Sequence, residues 1–373
     1  MARRLARLCW ELMKISLLVV GGGYAIIVVA DEVFSRLGWI EEGELVDRLP
    51  VFQSIPGLIA THTAVYVGDK VGGLPGAALG VAAVAVPSVV VFTAVSASYD
   101  SLPLAHPCVA GAFVGLRGAM TGIIAATLAR SWRKSLPDAF AYSLLAACLA
   151  ALTALEANVV AVLLAAMVAG VAAEFGGGKR PGTRRFPSCA LLPLLMFFKY
   201  GALCFGGGFV LVPMYLADFV GPSAPWLRLG EAEFANLMAL TQMTPGPIGV
   251  NGATYFGYRL FGFAGALLAS AALLLPGSVL CLLAIRSLER FRSSRVVRAL
   301  MRGVRPASVA LMLVALGAFA KMSLPTSDGK GVSPSAAAIV LAAALLVGFR
   351  RLNVMAVIAL AAVCGSVAAW FRV

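Results

Sequence analysis

The sequence predicts an all-α polytopic membrane protein made of two homologous multi-helix repeats of opposite orientation, with broken, re-entrant helices at Gly-Gly-Gly and Pro-Gly motifs. Composition is the first reason: of 373 residues 61% are hydrophobic and 13% charged, and the mean hydropathy is +0.93, well beyond an ordinary globular chain. Self-similarity is the second. The stretch from Lys14 through Gly21-Gly22-Gly23 to Tyr24 returns, 185 positions later, from Lys199 through Gly206-Gly207-Gly208 to Phe209. The third is a later match, 189 positions apart. Gln53-Ser54-Ile55-Pro56-Gly57 returns as Gln242-Met243-Thr244-Pro245-Gly246, and Tyr66-Val67-Gly68 as Tyr255-Phe256-Gly257.

Taken in order, apolar segments long enough to cross a bilayer, about 20 residues each, fall near 12–30, 51–67, 74–98, 106–129, 138–155 and 157–174. A second set falls near 190–213, 234–257, 264–285, 304–322, 335–349 and 353–371. The organisation is thus a first repeat at 1–174, a basic linker at 175–189 and a second repeat at 190–373. Backbone broken by Gly-Gly-Gly or Pro-Gly cannot face lipid with its polar groups unpaired, so both kinds of break must be buried in protein or line a wet cavity. Glycines at 68, 72, 76 and 80, and at 111 and 115, have the four-residue spacing of close helix packing.

The net charge of +13 is carried by thirty Lys and Arg in short runs between apolar stretches, which reads as topology rather than as a nucleic-acid-binding face. Arg3, Arg4 and Arg7, then Arg130, Arg133 and Lys134, then Arg286 to Arg298 all favour the cytoplasm, yet occupy non-equivalent repeat positions. That mismatch favours inverted halves. The linker's own basic residues, after six spans, argue for parallel ones. Seven cysteines without a CxxC pair, and no His at metal-ligand spacing, indicate neither disulfides nor a metal, and no cofactor is expected.

A duplicated apolar unit with matched helix breaks is the pattern of transporters that place discontinuous helices around a central site. Gly21, Gly22, Gly23 and Gly206, Gly207, Gly208 would bare backbone N–H groups at helix N-termini, where the partial positive charge suits an anion. Pro56-Gly57 and Pro245-Gly246-Pro247 would supply a helix end each. Around them Gln53, Gln242, Thr244 and Asn251 are candidate oxyanion ligands, against interhelical hydrogen bonding as the plainer role. Lys14 and Lys199, seven residues before their glycines, either attract an anion or snorkel. His62, which aligns with Asn251, is the candidate proton carrier, the plainer role being a satisfied structural donor. Arg117 and Arg305, also aligned, need a partner, either a carboxylate such as Glu156 or the substrate.

Phe205-Gly206-Gly207-Gly208 followed by Gln242-Met243-Thr244-Pro245-Gly246-Pro247 resembles the chromate ion transporter family, whose halves each carry an F-G-G and a P-G-P motif. The resemblance covers nearly the whole chain. It implies a two-domain member with antiparallel halves, with Trp39 and Trp226 in the loops between the motifs. It also implies efflux of chromate, or a sulfate-like analogue, across the inner membrane. Val20 stands where phenylalanine is usual and Leu58 where the second proline is, so the half-sites are unequal. The expected function is secondary transport of a divalent tetrahedral oxyanion by alternating access in the lipid bilayer, with a homodimer left open. No Walker-type loop suggests an ATP-driven pump. A membrane-embedded enzyme, which would need clustered carboxylates, and a passive anion channel are the alternatives.

Overall fold

The computed structural model describes residues 1–18, 23–101, 103, 106–155, 157–175, 192–205, 208–221, 224, 226–244, 246–286, 295–325, 332–348 and 354–370. Fourteen α-helices and no named strand occur among them. In the first half α1 (Ala2–Leu18) runs alongside the later part of α4 (Ile59–Ser98): Leu5 lies against Gly72 and Gly76, Leu12 against Gly80, and Ser16 Oγ donates to the Val84 carbonyl at 2.9 Å. After the glycine triplet α2 (Gly23–Arg36) returns, and the Asp31 carboxylate accepts the Gly43 and Leu45 N–H groups at 2.8 Å each, fixing the start of α3 (Glu44–Ser54).

The chain then turns at Pro56-Gly57. Tyr66 and Lys70 on α4 reach back to Glu44, and Phe52 reaches His62, so α3 and the start of α4 are antiparallel. The expected single crossings at 12–30 and 51–67 are therefore each two short helices folded back on one another at the break. Helices of 11 to 17 residues, rising 1.5 Å per residue, reach only part-way across a bilayer before the breaker stops them.

α4 is itself a hairpin. Gly72 and Gly73 leave helical geometry (Gly73 φ 60°, ψ −148°), and Gly68 then packs on the Gly76 carbonyl and Gly80 on that of Ala64. The glycine spacing marks this fold-back, since a side chain at either contact would occupy the opposing backbone. A short arm, 59–71, thus precedes a long one, 74–98. α5 (Pro107–Ser135), α6 (Ala139–Thr153) and α7 (Val159–Phe175) complete the half.

The second half repeats the plan. α8 (Leu192–Leu203) and α9 (Leu211–Phe219) are joined by a short 3₁₀ turn at Gly208–Val210, and α10 (Glu231–Met243) leads to α11 (Ile248–Arg286), bent at Phe261-Gly262. α12 (Arg295–Ser323), α13 (Pro334–Gly348) and α14 (Val354–Trp370) follow. Among the described residues, four helices are long and apolar enough to span a membrane: Ile59–Ser98, Pro107–Ala129, Ile248–Arg286 and Arg295–Ser323. The linker lies almost wholly outside the described residues.

Contacts fix the relative direction of the halves. Along the long arm of α11, Gly277 meets Gly57, Cys281 Sγ lies 3.7 Å from the His62 carbonyl, and Arg286 pairs with Asp69 at 3.0 Å. That arm runs parallel to the short arm of α4 and so antiparallel to its own counterpart, the long arm of α4. The halves are inverted. Arg286 is thereby brought to the Gly72-Gly73 end of α4, where α1 also begins. Arg302, near the start of α12, pairs with Asp138, just after α5, at 3.1 Å.

The two halves also exchange their outer helices. Gly115 of α5 packs on the Ala361 carbonyl of α14, and Gly303 of α12 on the Ala166 carbonyl of α7, a reciprocal pair at equivalent repeat positions. Gly122 likewise meets the Val340 carbonyl of α13. Interlocked in this way, neither half buries its apolar faces alone.

Candidate functional site

The breaks of the two halves meet in the interior. The Gly57 N–H donates to the Cys204 carbonyl at 2.7 Å, tying the first Pro-Gly turn to the residue that ends α8 just before Phe205-Gly206. At the other end of the same glycine segment, a Cβ on Gly208 would lie 3.2 Å from the Gly249 nitrogen and 3.3 Å from Ile248, in the first turn of α11. Gly249 in turn packs on Leu58 and Leu211. Leu58, which replaces the second proline of the motif, therefore plugs the first break against the second half.

Both Pro-Gly turns use the same backbone geometry, with φ of 123° at Gly57 and 103° at Gly246. L side chains rarely adopt these values, which is why glycine recurs there. Each turn seats on the long arm of the opposite half at a residue that follows a helix-interior proline. Gly57 abuts Gly277, after Pro276, and a Cβ on Gly246 would fall on Ser88 Oγ, after Pro87. Ser88 and Gly277 are 189 positions apart, the offset of the motif itself. They escaped notice in the sequence because one is serine and the other glycine; the shared preceding proline was the signal available.

His62 and Asn251 are the other equivalent pair. His62 is fully buried, with Nδ1 3.0 Å from the Phe52 carbonyl and Nε2 3.2 Å from that of Pro56. Asn251 is fully buried too, and its Nδ2 donates to the Thr241 carbonyl at 3.0 Å and that of Thr244 at 3.4 Å. Asn251 thus staples the end of the helix before the break to the first turn after it through two donated bonds, while the neutral His62 ring donates to one of its two carbonyls and to both only when protonated. The N–H groups of Ile59 to Thr61 and of Ile248 and Gly249 precede the first intrahelical bonds, made by His62 to Leu58 and by Val250 to Pro247. Neither helix start has a serine, threonine or acidic cap: Leu58 and Pro247 stand there. Thr61 Oγ1, Ser88 Oγ and Asn251 Oδ1 are buried with no hydrogen-bond partner.

Of the expected site residues, Pro56, Gly57, His62, Gly208, Thr244, Gly246, Pro247 and Asn251 gather here, the Thr244 hydroxyl being returned to the Leu240 carbonyl at 2.6 Å. Gln53 closes α3 beside the staple. Gly23 opens α2. Gly21, Gly22, Gly206, Gly207, Pro245 and Glu156 lie outside the described residues, as does the side chain of Gln242. Lys14 and Lys199 stand apart from the turns: Lys14 pairs with Glu11 at 2.7 Å and Lys199 approaches Asp218 at 3.9 Å. Arg117 is half-buried and donates to the Phe113 carbonyl at 3.3 Å, whereas Arg305 is exposed. A cavity of about 470 Å³ opens elsewhere, lined by Glu41, Glu42, Glu44, Asp47, Arg48, Tyr66 and Lys70. Four carboxylates against two cations make it a poor seat for an anion.

Comparison with known proteins recovers both repeats. The family description "Chromate transporter" matches residues 6–171 and again 193–366, one match per repeat. A "Chromate transport protein" of Cupriavidus metallidurans is 27% identical over 349 residues, covering 88% of this chain and 84% of its own length. A "Probable chromate transport protein" of Synechococcus elongatus is 25% identical over 349 residues, with 87% and 88% covered. A "Chromate transport protein" of Pseudomonas aeruginosa is 26% identical over 327 residues, with 80% and 77% covered. No solved structure matches. With both repeats matched over nearly their full length, the chain belongs to the chromate transporter family.

Proposed function

We propose that this protein is a secondary active transporter that exports a tetrahedral oxyanion, chromate by family, across the inner membrane by alternating access at the meeting point of the inverted halves. One observation carries the reading: the Pro-Gly turn of the first half is hydrogen-bonded through Gly57 N–H to the Cys204 carbonyl, beside the glycine segment of the second. Helix ends from opposite directions face one interior place. The uncapped N–H groups of Ile59 to Thr61 and of Ile248 and Gly249 present partial positive charge there. An anion can be held by such dipoles and released when the halves part, because no fixed full charge traps it. The same end of the body carries the α1 arginines, Arg286 and Arg302, which favours the cytoplasm for that end. His62 holds the first turn closed through two carbonyls, so gaining or losing a ring proton would change that closure, and proton movement is the proposed energy source.

The test is uptake of radiolabelled chromate and sulfate by purified protein in liposomes, with and without an imposed pH gradient. Gradient-driven chromate flux is expected. A Gly246→Leu variant, whose side chain would displace Ser88, should insert normally yet lose that flux. Unchanged flux in the variant would remove the Pro-Gly turns from the transport path, and flux indifferent to the gradient would refute secondary coupling to protons.

A further inference from the structure

We propose that the second Pro-Gly turn takes its oxyanion as the singly protonated monoanion. The ligand's O–H donates to Asn251 Oδ1, while Ser88 Oγ and the leading N–H groups of α11 donate to its ionised oxygens. This rests on the transport reading above and specifies the protonation state of what is bound.

The reasoning starts from the sign of each group at this turn. Asn251 has both amide hydrogens directed at carbonyls, those of Thr241 and Thr244, so Nδ2 and Oδ1 cannot trade places without setting oxygen against two carbonyl oxygens. Oδ1 therefore faces the turn as an acceptor. It is fully buried, has no partner, and lies 3.4 Å from the Cβ position of Gly246, the same position that Ser88 Oγ overlaps. The Ser88 hydroxyl is also fully buried and unpartnered. Two orphaned polar atoms thus converge beside the N-terminus of a 13-residue arm, 248–260. The hydroxyl and the helix end favour a negative oxygen, and Oδ1 repels one.

A fully ionised tetrahedral dianion offers acceptors only, and would set one oxygen against Oδ1 with no proton between them. An ion with one O–H and the rest ionised supplies the missing donor and keeps its negative face for Ser88 and the helix. The first turn differs: its buried, unpartnered group is the Thr61 hydroxyl, which can donate as well as accept. His62 stands where Asn251 does, with both ring nitrogens against carbonyls, and Gly277 stands where Ser88 does. Of these unpartnered atoms only Asn251 Oδ1 has no proton of its own to give, so the requirement for a donor lies at the second turn. The titratable groups that packed elements bring to this arm are Tyr215 from α9, whose hydroxyl donates to the Gly249 carbonyl at 2.9 Å, and Tyr99 just after α4, edge-on to Tyr255; His62, Cys204 and Cys281 lie at the first turn instead. No carboxylate, Lys or Arg hydrogen-bonds Ser88 Oγ or Asn251 Oδ1 among the described residues.

The experiment is calorimetric titration of the purified full chain with chromate at about pH 8, where the free ion is chiefly the dianion, in two buffers of different ionisation heat; the difference gives protons taken up per ion bound. Uptake of about one proton per chromate is expected, since the proton resides on the ligand. Sulfate, which carries no proton near neutrality, should bind at least about tenfold more weakly. Ser88→Gly, the residue the other half uses at this position, should weaken chromate binding about tenfold with proton uptake unchanged. Chromate binding without proton uptake, or equal binding of sulfate, would each overturn the proposal. If neither anion binds nor crosses a liposome membrane, the transport reading itself fails and the proposal falls with it.

Discussion

Replacing Gly57 by alanine tests whether the two halves are locked together at their breaks. Two costs are separable in the structure. At φ 123° an L residue is strained, at about 1–3 kcal/mol. The new Cβ would also lie 2.7 Å from His62 Nε2 and 2.8 Å from the Gly277 Cα. The second neighbour is backbone and cannot swing aside, so overpacking adds about 1–3 kcal/mol, and relief by shifting the turn would stretch the 2.7 Å bond from Gly57 N–H to Cys204. The total is about 2–6 kcal/mol. Gly38→Ala is the matched control, with positive φ of 68° but nothing within 4 Å of the added carbon; its cost is backbone strain alone, about 1–2 kcal/mol. Apparent melting temperatures of the purified variants, at one scan rate because membrane proteins often unfold irreversibly, should fall in the order wild type, Gly38→Ala, Gly57→Ala, and chromate flux should survive only in the first two. Equal melting of the two variants would refute the close approach of Gly57 to the second half.

Two further predictions concern the ends of the body. Asp138 caps α6 through the Ala141 N–H at 2.9 Å and pairs with Arg302. That N–H foremost, and Arg302 next, hold its carboxyl below the usual carboxylate range. A depressed carboxyl stabilises the fold above its unfolded pKa and ceases to as pH falls through the lower folded value. Melting curves should therefore show Asp138→Ala below wild type at neutral pH, with the gap closing as the medium is acidified past the ordinary aspartate range; a gap constant with pH would refute the pairing. For Asp69 and Arg286, joined across the inverted halves, either charge reversal alone should lower the melting temperature and the double swap should restore it. No recovery in the double variant would count against the antiparallel placement of the long arm of α11.

Much of this architecture was legible in the chain because the repeat exposes it. The offsets of 185 and 189 located the breaks, the glycine series at 68 to 80 marked a close helix contact, and the basic runs already argued for inversion, which the Asp69–Arg286 contact establishes. Hydropathy could not show that segments 12–30 and 51–67 fold back at their breaks, because an apolar helix that returns and one that crosses share a composition. The exchange of outer helices was equally invisible: Gly115 and Gly303 announce a close neighbour but not that it belongs to the other half. At the site, types were read better than contacts. Lys14 and Lys199 aligned perfectly yet pair with acidic neighbours away from the turns, and Ser88 had no matching partner to draw attention to it.

That last mismatch bears on how a duplicated protein becomes directional. Two identical halves related by inversion give a carrier the same binding energy from either side, and a gradient alone then decides the direction of flux. Here the symmetry holds for the backbone and fails in the side chains at the turns: His62 against Asn251, Gly277 against Ser88, Leu58 against Pro247. The first two substitutions preserve what the turn needs mechanically, a polar side chain set against two carbonyls and a small residue beneath the glycine. What changes is the polarity offered to a ligand. One turn carries a titratable staple and the free Thr61 hydroxyl, the other a fixed acceptor and the free Ser88 hydroxyl. If the halves rock about this point, the anion and the proton meet different chemistry at each turn, so coupling between them follows from the sequence differences while the motion follows from the sequence repeats.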